Sequence, residues 1–378
     1  MLPSIGVGLI GTGFMGRSHA FAYNAVKPVF GDVPIPKKLL LCDLDAGVAA
    51  GRAEEFGFER STTNWREMIA DPAIHLISIT TYNNTHKQIA IAALEAGKHV
   101  WCEKPMALTL RHAEEMAAAA RKAKGCVAML GYNYVKNPMV RTMKRLIEDG
   151  TIGQVVDFRG TVDEDYMADP MLPWSWRLRS ADAGLGTLGD ITCHLISLAH
   201  ETVGPIARLT ALLDTVHKER PLPDKPGEMG VVENDDVAHA ILRFANGARG
   251  VIASSRVAHG RKNVLRIEVH GTKGMLVFDQ ERLNEVQLYT ADGPKETRGF
   301  RTILTGPQHE PYGRFCPAPG HQLGFNDLKT IELAHLLRAI QGEVKPHLTF
   351  EEGLAIERTL DAITRSAKSG AWTDVATA

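Results

Sequence analysis

Neither sign of charge dominates this chain: 43 lysines and arginines stand against 44 aspartates and glutamates, a formal net charge of -1. It therefore lacks the basic footprint of a nucleic-acid binder or a membrane-surface protein. No apolar run approaches the roughly 18 residues of a membrane span, and Met1-Leu2-Pro3-Ser4-Ile5-Gly6 offers no basic segment ahead of an apolar core, so no secretory signal is read. Cysteine is sparse. Cys42, Cys102, Cys126, Cys193 and Cys316 lie far apart, form no C-x-x-C pair and are odd in number, which argues against a zinc ribbon, a dithiol motif or a disulfide framework. A reducing, cytoplasmic setting is expected, with no metal. What is present is an ordinary globular composition, 44% hydrophobic over 378 residues, too long for one compact core. Two domains and small-molecule chemistry follow as expectations.

Apolar runs at 5–10, 39–42, 74–80, 99–102 and 127–130 read as five buried strands. Helical stretches alternate with them, the clearest at 85–96, stopped by Gly97, and at 109–124, stopped by Gly125. Such alternation predicts a parallel sheet covered on both faces. After a helix at 138–149 the pattern changes, because strands now follow one another through turns. Asn246-Gly247 between 238–244 and 248–255 is a hairpin signal, and Gly271-Thr272-Lys273-Gly274 joins two further strands. The expected fold is α/β followed by α+β: a Rossmann dinucleotide-binding domain over 1–133, then a substrate-binding and oligomerisation domain over 134–378 with a largely antiparallel open sheet. Helices are expected at 328–340 and 351–368, and long loops at 218–230 and 305–324.

Gly11-Thr12-Gly13-Phe14-Met15-Gly16 satisfies G-x-G-x-x-G directly after the first strand. Glycines there allow a tight turn and let a pyrophosphate approach the N-terminus of the next helix. The second strand ends in Cys42-Asp43-Leu44-Asp45, which places the Asp43 carboxylate where it accepts from ribose hydroxyls and repels a 2′-phosphate. No arginine follows before Arg52, so NAD is expected over NADP. Thr80, Thr81, Asn83 and His86 follow the third strand, at the sheet edge where open α/β sheets bind ligands. Thr85 could equally be a plain helix cap, and His86 a first-turn residue.

Cys102-Glu103-Lys104-Pro105 then ends the fourth strand. With the glycine turn and the Thr/Asn/His-bearing edge, it resembles the glucose-fructose oxidoreductase and inositol dehydrogenase (Gfo/Idh/MocA) family. The stretch from Gly184 to His194 resembles that family's G-x-x-x-D-x-x-x-H helix, and Trp174-Ser175-Trp176-Arg177 and Arg298-Gly299-Phe300-Arg301 resemble its sugar dehydrogenases, the levoglucosan-oxidising branch in particular. One departure is Tyr82, where the family usually has proline. The resemblance implies a homodimer or homotetramer, oxidation at C3 of a pyranose, and cofactor contacts from Glu103, Lys104, Asn133, Trp176 and Arg177.

Oxidation of a secondary alcohol by NAD needs a base for the hydroxyl proton and a donor for the developing alkoxide. Asp190 and His194, spaced i and i+4, share a helix face. His194 is the natural base, and Asp190 bonds either the imidazole or a substrate hydroxyl. Lys104 would set an ammonium beside the reacting oxygen, and desolvation would lower its pKa enough for it to relay the proton itself. Asp163-Glu164-Asp165-Tyr166 and Trp174-Ser175-Trp176-Arg177 are expected to line the cleft, where carboxylates beside aromatic faces suit a neutral sugar better than a phosphate, the alternative being an acidic surface loop. Tyr132, Asn133 and Tyr134 are cleft candidates or hinge packing. His321 and Asn326 are further candidates. The expected activity is dehydrogenation of a sugar, anhydrosugar, glycoside or cyclitol; the alternatives are a nucleotide-sensing regulatory protein and a biliverdin-type or imine reductase.

Overall fold

The computed structural model describes residues 4–376; Met1, Leu2 and Pro3 of the terminal stretch read above, and the last two residues, lie outside the described residues. The chain forms two compact units, one running to Asn133 and joined by Gly324–Leu354, the other made of Tyr134–Leu323 and the chain from Ala355 on. Residues 324–354, placed in the second domain by a simple linear division, thus pack with the first unit.

The first unit runs β1 (Ser4–Ile10), α1 (Phe14–Phe30), β2 (Ile35–Cys42), α2 (Ala46–Phe56), β3 (Arg60–Thr62), α3 (Arg66–Ala70), β4 (Leu76–Ile79), α4 (Asn83–Glu95), β5 (His99–Cys102), α5 (Leu110–Lys122) and β6 (Ala128–Leu130). All six strands are parallel, in the order β3-β2-β1-β4-β5-β6. β1 after Ser4 and the whole of β4 are buried, which is why they read as continuous apolar runs. The sixth strand, β3, was not expected: its Arg60-Ser61-Thr62 at the sheet edge contains no apolar residue to announce it. Strand order reverses between β2-β1 and β4, so the carboxyl ends of β1 and β4 flank the point where such sheets take ligands.

The second unit contains α6 (Pro138–Glu148), β7 (Val155–Asp163), α7 (Ser180–Ala183), α8 (Cys193–Thr202), β8 (Ile206–Asp214), β9 (Glu219–Pro221), β10 (Met229–Val231), β11 (Val237–Phe244), β12 (Arg249–Ser255), β13 (Val264–Gly271), β14 (Gly274–Asp279), β15 (Glu285–Thr290), β16 (Arg301–Leu304) and α9 (Tyr312–Phe315). α10 (Phe325–Ile340) belongs to the first unit; α11 (Phe350–Ser369) and β17 (Thr373–Asp374) end the chain. Nine strands form one sheet, β16-β15-β14-β13-β7-β12-β11-β8-β17, antiparallel except at β7 and β12. β11 alternates buried and exposed residues, the sign of a sheet covered on one face. On the covered face a side chain at Gly160 would collide with Leu195, so this glycine lets α8 lie close against β7. On the open face Ile241 pairs with Val251 across the Asn246-Gly247 hairpin. The loop expected at 218–230 carries the small β9-β10 hairpin, and that at 305–324 carries α9.

α10 explains the detour of the chain into the first unit. It is buried on several sides, its Phe325 ring stacks on Phe14 at 5.5 Å, and the segment after it reaches β6, where Leu130 N–H donates to Leu348 O at 2.8 Å.

Candidate active site

In the first unit the glycine turn is built around Thr80. Its hydroxyl donates to the carbonyl oxygens of Gly11 (2.8 Å) and Ile10 (3.0 Å), so Thr80 supports the turn through hydrogen bonds to main chain. Gly11 has φ +91°, and a Cβ there would lie 2.7 Å from Thr80 O; at Gly16 a Cβ would lie 2.2 Å from Gly11 O. Gly13 is different: a Cβ there meets nothing within 4 Å. It caps α1 without a side-chain hydrogen bond, leaving open space beside the first N–H groups of the helix. That is the approach an anion needs.

Asp43 is already oriented. Its Oδ2 accepts from Thr12 N–H at 3.0 Å and from the Thr12 hydroxyl, and Oδ1 accepts from Leu44 N–H at 2.7 Å. At the end of β4, α4 begins at Asn83, two residues earlier than expected, so Thr85 is not its cap. Tyr82 takes that place with φ -65°, the value a proline ring would impose, and the backbone tolerates the departure noted above. Thr81 and Thr85 hydroxyls lie 2.6 Å apart. Asn133 is buried, with its Nδ2 lacking a partner, which leaves an amide donor to be satisfied. Open glycine turn, oriented carboxylate and orphan amide together fit a dinucleotide.

Two side chains expected at the cofactor take partners inside the protein. His86 is wholly buried and bridges the Pro105 (3.0 Å) and Thr81 (3.2 Å) carbonyl oxygens, a strut between two loops, and burial lowers its pKa. Glu103 turns its carboxylate into the interior, 2.8 Å from His19 Nε2 and 2.5 Å from Lys329 Nζ. Burial alone would raise its pKa, but Lys329 and His19 bring it well below the usual range, so it is ionised. Lys104, half-buried, follows at the corner, where its N–H lies 3.4 Å from Glu103 Oε2 and its bond to Pro105 is cis.

In the second unit the expected helix starts with one π-helical turn, Leu188–Thr192, before α8. Such turns cluster at functional sites. Asp190 lies in it. Its Oδ2 accepts from the Tyr166 hydroxyl at 2.7 Å and is 3.8 Å from Arg177 Nε. Burial first, then the Asp190 charge, holds the Tyr166 phenol well above its ordinary pKa, so it stays a donor. His194, at the start of α8 and buried, packs its ring 4.5 Å from that of Tyr134, whose hydroxyl accepts from Asn263 Nδ2 at 3.0 Å. Asp235 holds the turn: its carboxylate accepts from Gly186 N–H (2.9 Å) and Leu188 N–H (2.7 Å), and a Cβ on Gly186 would strike its carbonyl oxygen.

The acidic loop divides. Asp163 ends β7, half-buried, and burial raises its pKa. Glu164 joins the sheet margin through its main chain, its N–H donating to Ser255 O at 2.9 Å. Asp165 pairs with Lys262 at 2.7 Å and accepts from Gly260 N–H, a loop staple. Trp174 is tied to β10 through Val231 O (2.9 Å), whereas Arg177 stacks on Trp176 at 4.6 Å. Tyr132 is buried in the first unit, while His321 and Asn326 are exposed and belong to different units. Sequence reasoning passed over Asn263 and the bond from Tyr166 to Asp190. Neither is signalled locally, because each partner comes from a different element. Lys329 and Glu332 did leave a trace as charges three apart in the apolar run of α10. Among the described residues no cluster of metal ligands occurs, and no helix is long and apolar enough to cross a membrane.

Residues 5–132 match the model of an oxidoreductase family with an NAD-binding Rossmann fold, and 140–277 match the GFO/IDH/MocA C-terminal domain. The levoglucosan dehydrogenase of Pseudarthrobacter phenanthrenivorans is 42% identical over 389 aligned residues, covering 99% of both chains. A 1,5-anhydro-D-fructose reductase of Ensifer adhaerens is 29% identical, covering 98% of both. Among solved structures, a levoglucosan dehydrogenase in complex with NADH and levoglucosan superposes with a TM-score of 0.94 at 42% identity, over 99% of this chain and 100% of that one. With a parallel Rossmann sheet followed by a mostly antiparallel one, and with both family models matched, the chain belongs to the GFO/IDH/MocA family and is an NAD-dependent oxidoreductase.

Proposed function

We propose that the protein dehydrogenates a neutral sugar, anhydrosugar, glycoside or cyclitol at a secondary ring hydroxyl, C3 of a pyranose being the specific position and levoglucosan the leading substrate. The observation that carries this is the Asp190 carboxylate, which lies one helical turn before His194 and accepts from the half-buried Tyr166 phenol, in a chain alike over its whole length to a levoglucosan dehydrogenase. A carboxylate accepts from ring hydroxyls and discriminates their stereochemistry, and Trp176 offers a flat face for C–H groups. Bound NAD supplies the hydride acceptor. The glycine turn over Gly11–Gly16, with Phe14 and Met15 at its helix start, holds the pyrophosphate, Asp43 the adenosine ribose, and Thr81, Asn83, Asn133, Trp176 and Arg177 further parts of the cofactor.

His194 takes the hydroxyl proton and Lys104 steadies the oxygen as negative charge develops on it. Asp190, oriented by Tyr166, grips a neighbouring hydroxyl with Tyr134, Asp163 and Glu164. A homodimer or homotetramer belongs to the same proposal. Leu212, Ile241 and Val251 stand exposed on the open sheet face, and size-exclusion chromatography with light scattering reads the mass.

The test is NADH formation from levoglucosan, glucose, simple glycosides and inositols, set against sugar phosphates and 2-hydroxy acids, with NMR of the product. Preference for a phosphate or carboxylate substrate would sink the polyol reading. A ketone at another ring carbon would sink only C3.

A further inference from the structure

Beneath the nucleotide edge of the first unit lies a set of ionisable side chains with almost no contact with solvent. Lys329 Nζ on α10 donates to Glu103 Oε1 (2.5 Å), Glu332 Oε1 (3.1 Å) and the Gly131 carbonyl oxygen (3.2 Å). Those acceptors use all three N–H bonds of the ammonium. His19 joins through Glu103 and, by Nδ1, lies 3.2 Å from Ser78 Oγ, itself 2.5 Å from the Tyr23 hydroxyl. Trp101 Nε1 donates to Glu332 Oε1 at 2.5 Å, and the Trp101 ring stacks on His19 at 3.6 Å. His19, Ser78, Trp101, Lys329 and Glu332 are 0% exposed and Glu103 is 3% exposed.

Stability does not account for such a cluster. A buried ion pair costs so much desolvation that apolar replacements of similar volume often do as well or better. Its placement is the distinguishing property. His19 is on the helix that follows the glycine turn, Ser78 is two residues before Thr80, Glu103 adjoins Lys104, and Gly131 precedes Asn133 by two. Gly131 leaves the room the carboxylate fills, since a Cβ there would clash with both Glu103 oxygens.

We infer that Lys329 is a positioning residue: by clamping the Glu103 carboxylate against Gly131 and His19, it fixes the Glu103-Lys104-Pro105 corner relative to the glycine turn. The inference rests on the proposed role of Lys104. Without the ammonium, Glu103 is a buried charge with no cation; the corner then moves toward water or Glu103 takes a proton, and in both cases the Lys104 backbone shifts.

Kinetics of full-length Lys329→Met, Lys329→Arg and the double variant Lys329→Met with Glu103→Gln test it, using levoglucosan carrying deuterium at the oxidised carbon. Lys329→Met should lower kcat by about 10- to 100-fold, as when a group supporting a reactive side chain is lost, with KM for NAD within about threefold. The deuterium isotope effect should rise, because hydride transfer becomes the slow step. Lys329→Arg should recover part of kcat. The double variant, which removes the ammonium and the Glu103 charge but keeps Glu332, should regain part of the thermal stability but not turnover, and it serves if Lys329→Met does not fold. Wild-type kcat per folded molecule and an unchanged isotope effect would make Lys329 a core residue only and overturn the inference. Hydrogen exchange over 99–110 and 128–136 reads the corner without a substrate. Loss of protection there, with β1 unchanged, supports positioning even if wild type oxidises no sugar, a result that would count against the proposed function alone. Unchanged exchange would count against positioning.

Discussion

The nucleotide edge of the first unit and the polar cluster of the second are built in opposite ways. At the nucleotide edge the backbone does most of the recognition: six consecutive residues make the turn, and the side chains of Thr80 and Asp43 hold it from outside. In the second unit the backbone is scaffolding for side chains drawn from separate places, Tyr166 from the loop after β7, Asp190 and His194 from the π-turn and α8, Tyr134 from the segment before α6 and Asn263 from the residue before β13. A site made of consecutive backbone is constrained in sequence and tolerant in its surroundings. One made of scattered side chains is the reverse, and it is where substrate choice can vary while the cofactor stays the same.

The largest expected effects are in the chemistry. His194→Ala and Lys104→Ala should each lower turnover by about two to four orders of magnitude, the scale of a positioned acid–base group, while NADH titration still gives near-normal affinity. Two active variants would remove the proposed mechanism. A loss of NADH binding in His194→Ala would instead break the division of labour between the units.

Next come the glycines. Gly13→Ala meets open space, so the free protein should keep its melting temperature while its affinity for NAD falls by about 10-fold or more. Gly11→Ala should lower both, because its φ of +91° and the Thr80 carbonyl oxygen at 2.7 Å oppose a side chain whether or not nucleotide is bound. Equal stability losses in the two would show that the open side of Gly13 is not an anion approach. Asp43→Ser with Leu44→Arg should invert the preference toward NADP, and wild-type enzyme that already favours NADP would refute the ribose assignment.

The legibility of the two regions follows the same division. Strands β1, β2, β4, β5 and β6 and the glycine turn could be read because local rules govern them: buried parallel strands are largely apolar, and glycine takes a positive φ without strain. β3 escaped because its three residues have no apolar pattern, and α10 was read as a helix but not as part of the first unit, since packing partners 300 residues away leave no periodic mark. Asp190 and His194 were found through a motif. The bond from Tyr166 to Asp190 and the Asn263 amide were not, because a hydrogen bond across the fold is encoded by two distant residues neither of which is unusual alone. The inward turn of Glu103 and His86 was not legible for a related reason: a motif names a residue but not the direction its side chain takes.

Within the second unit the Tyr166 bond can be weighed directly. Tyr166→Phe removes one charge-assisted donor from Asp190, leaves the ring's packing, and should cost about 1.5 to 3 kcal/mol, roughly 10- to 150-fold in kcat/KM. Asp190→Asn made in the Tyr166→Phe background should cost less than it does alone, because the two act together. Strict additivity would mean that Tyr166 only fills space.

Two buried groups, one in each unit, respond to acid with opposite signs. Burial lowers His19 in the first unit to about 4, against an ordinary 6.5, so it folds neutral. The unfolded chain binds this proton more readily, and the histidine's contribution to stability, complete above pH 6.5, is lost as pH falls toward 4. Between pH 7 and 5 the loss is about 2 kcal/mol. Asp235 in the second unit runs the other way: burial raises its carboxyl, so the folded state holds the proton more tightly than the unfolded chain and acidification toward the ordinary carboxyl range favours folding. His19→Gln, which keeps a hydrogen-bonding group beside Glu103 but cannot titrate, should therefore flatten the fall in melting temperature between pH 7 and 5. Asp235→Asn should leave that fall in place or steepen it slightly. Parallel pH profiles for wild type and His19→Gln would mean that His19 is charged in the folded protein, and the cluster around Lys329 would then hold two cations against Glu103 instead of one.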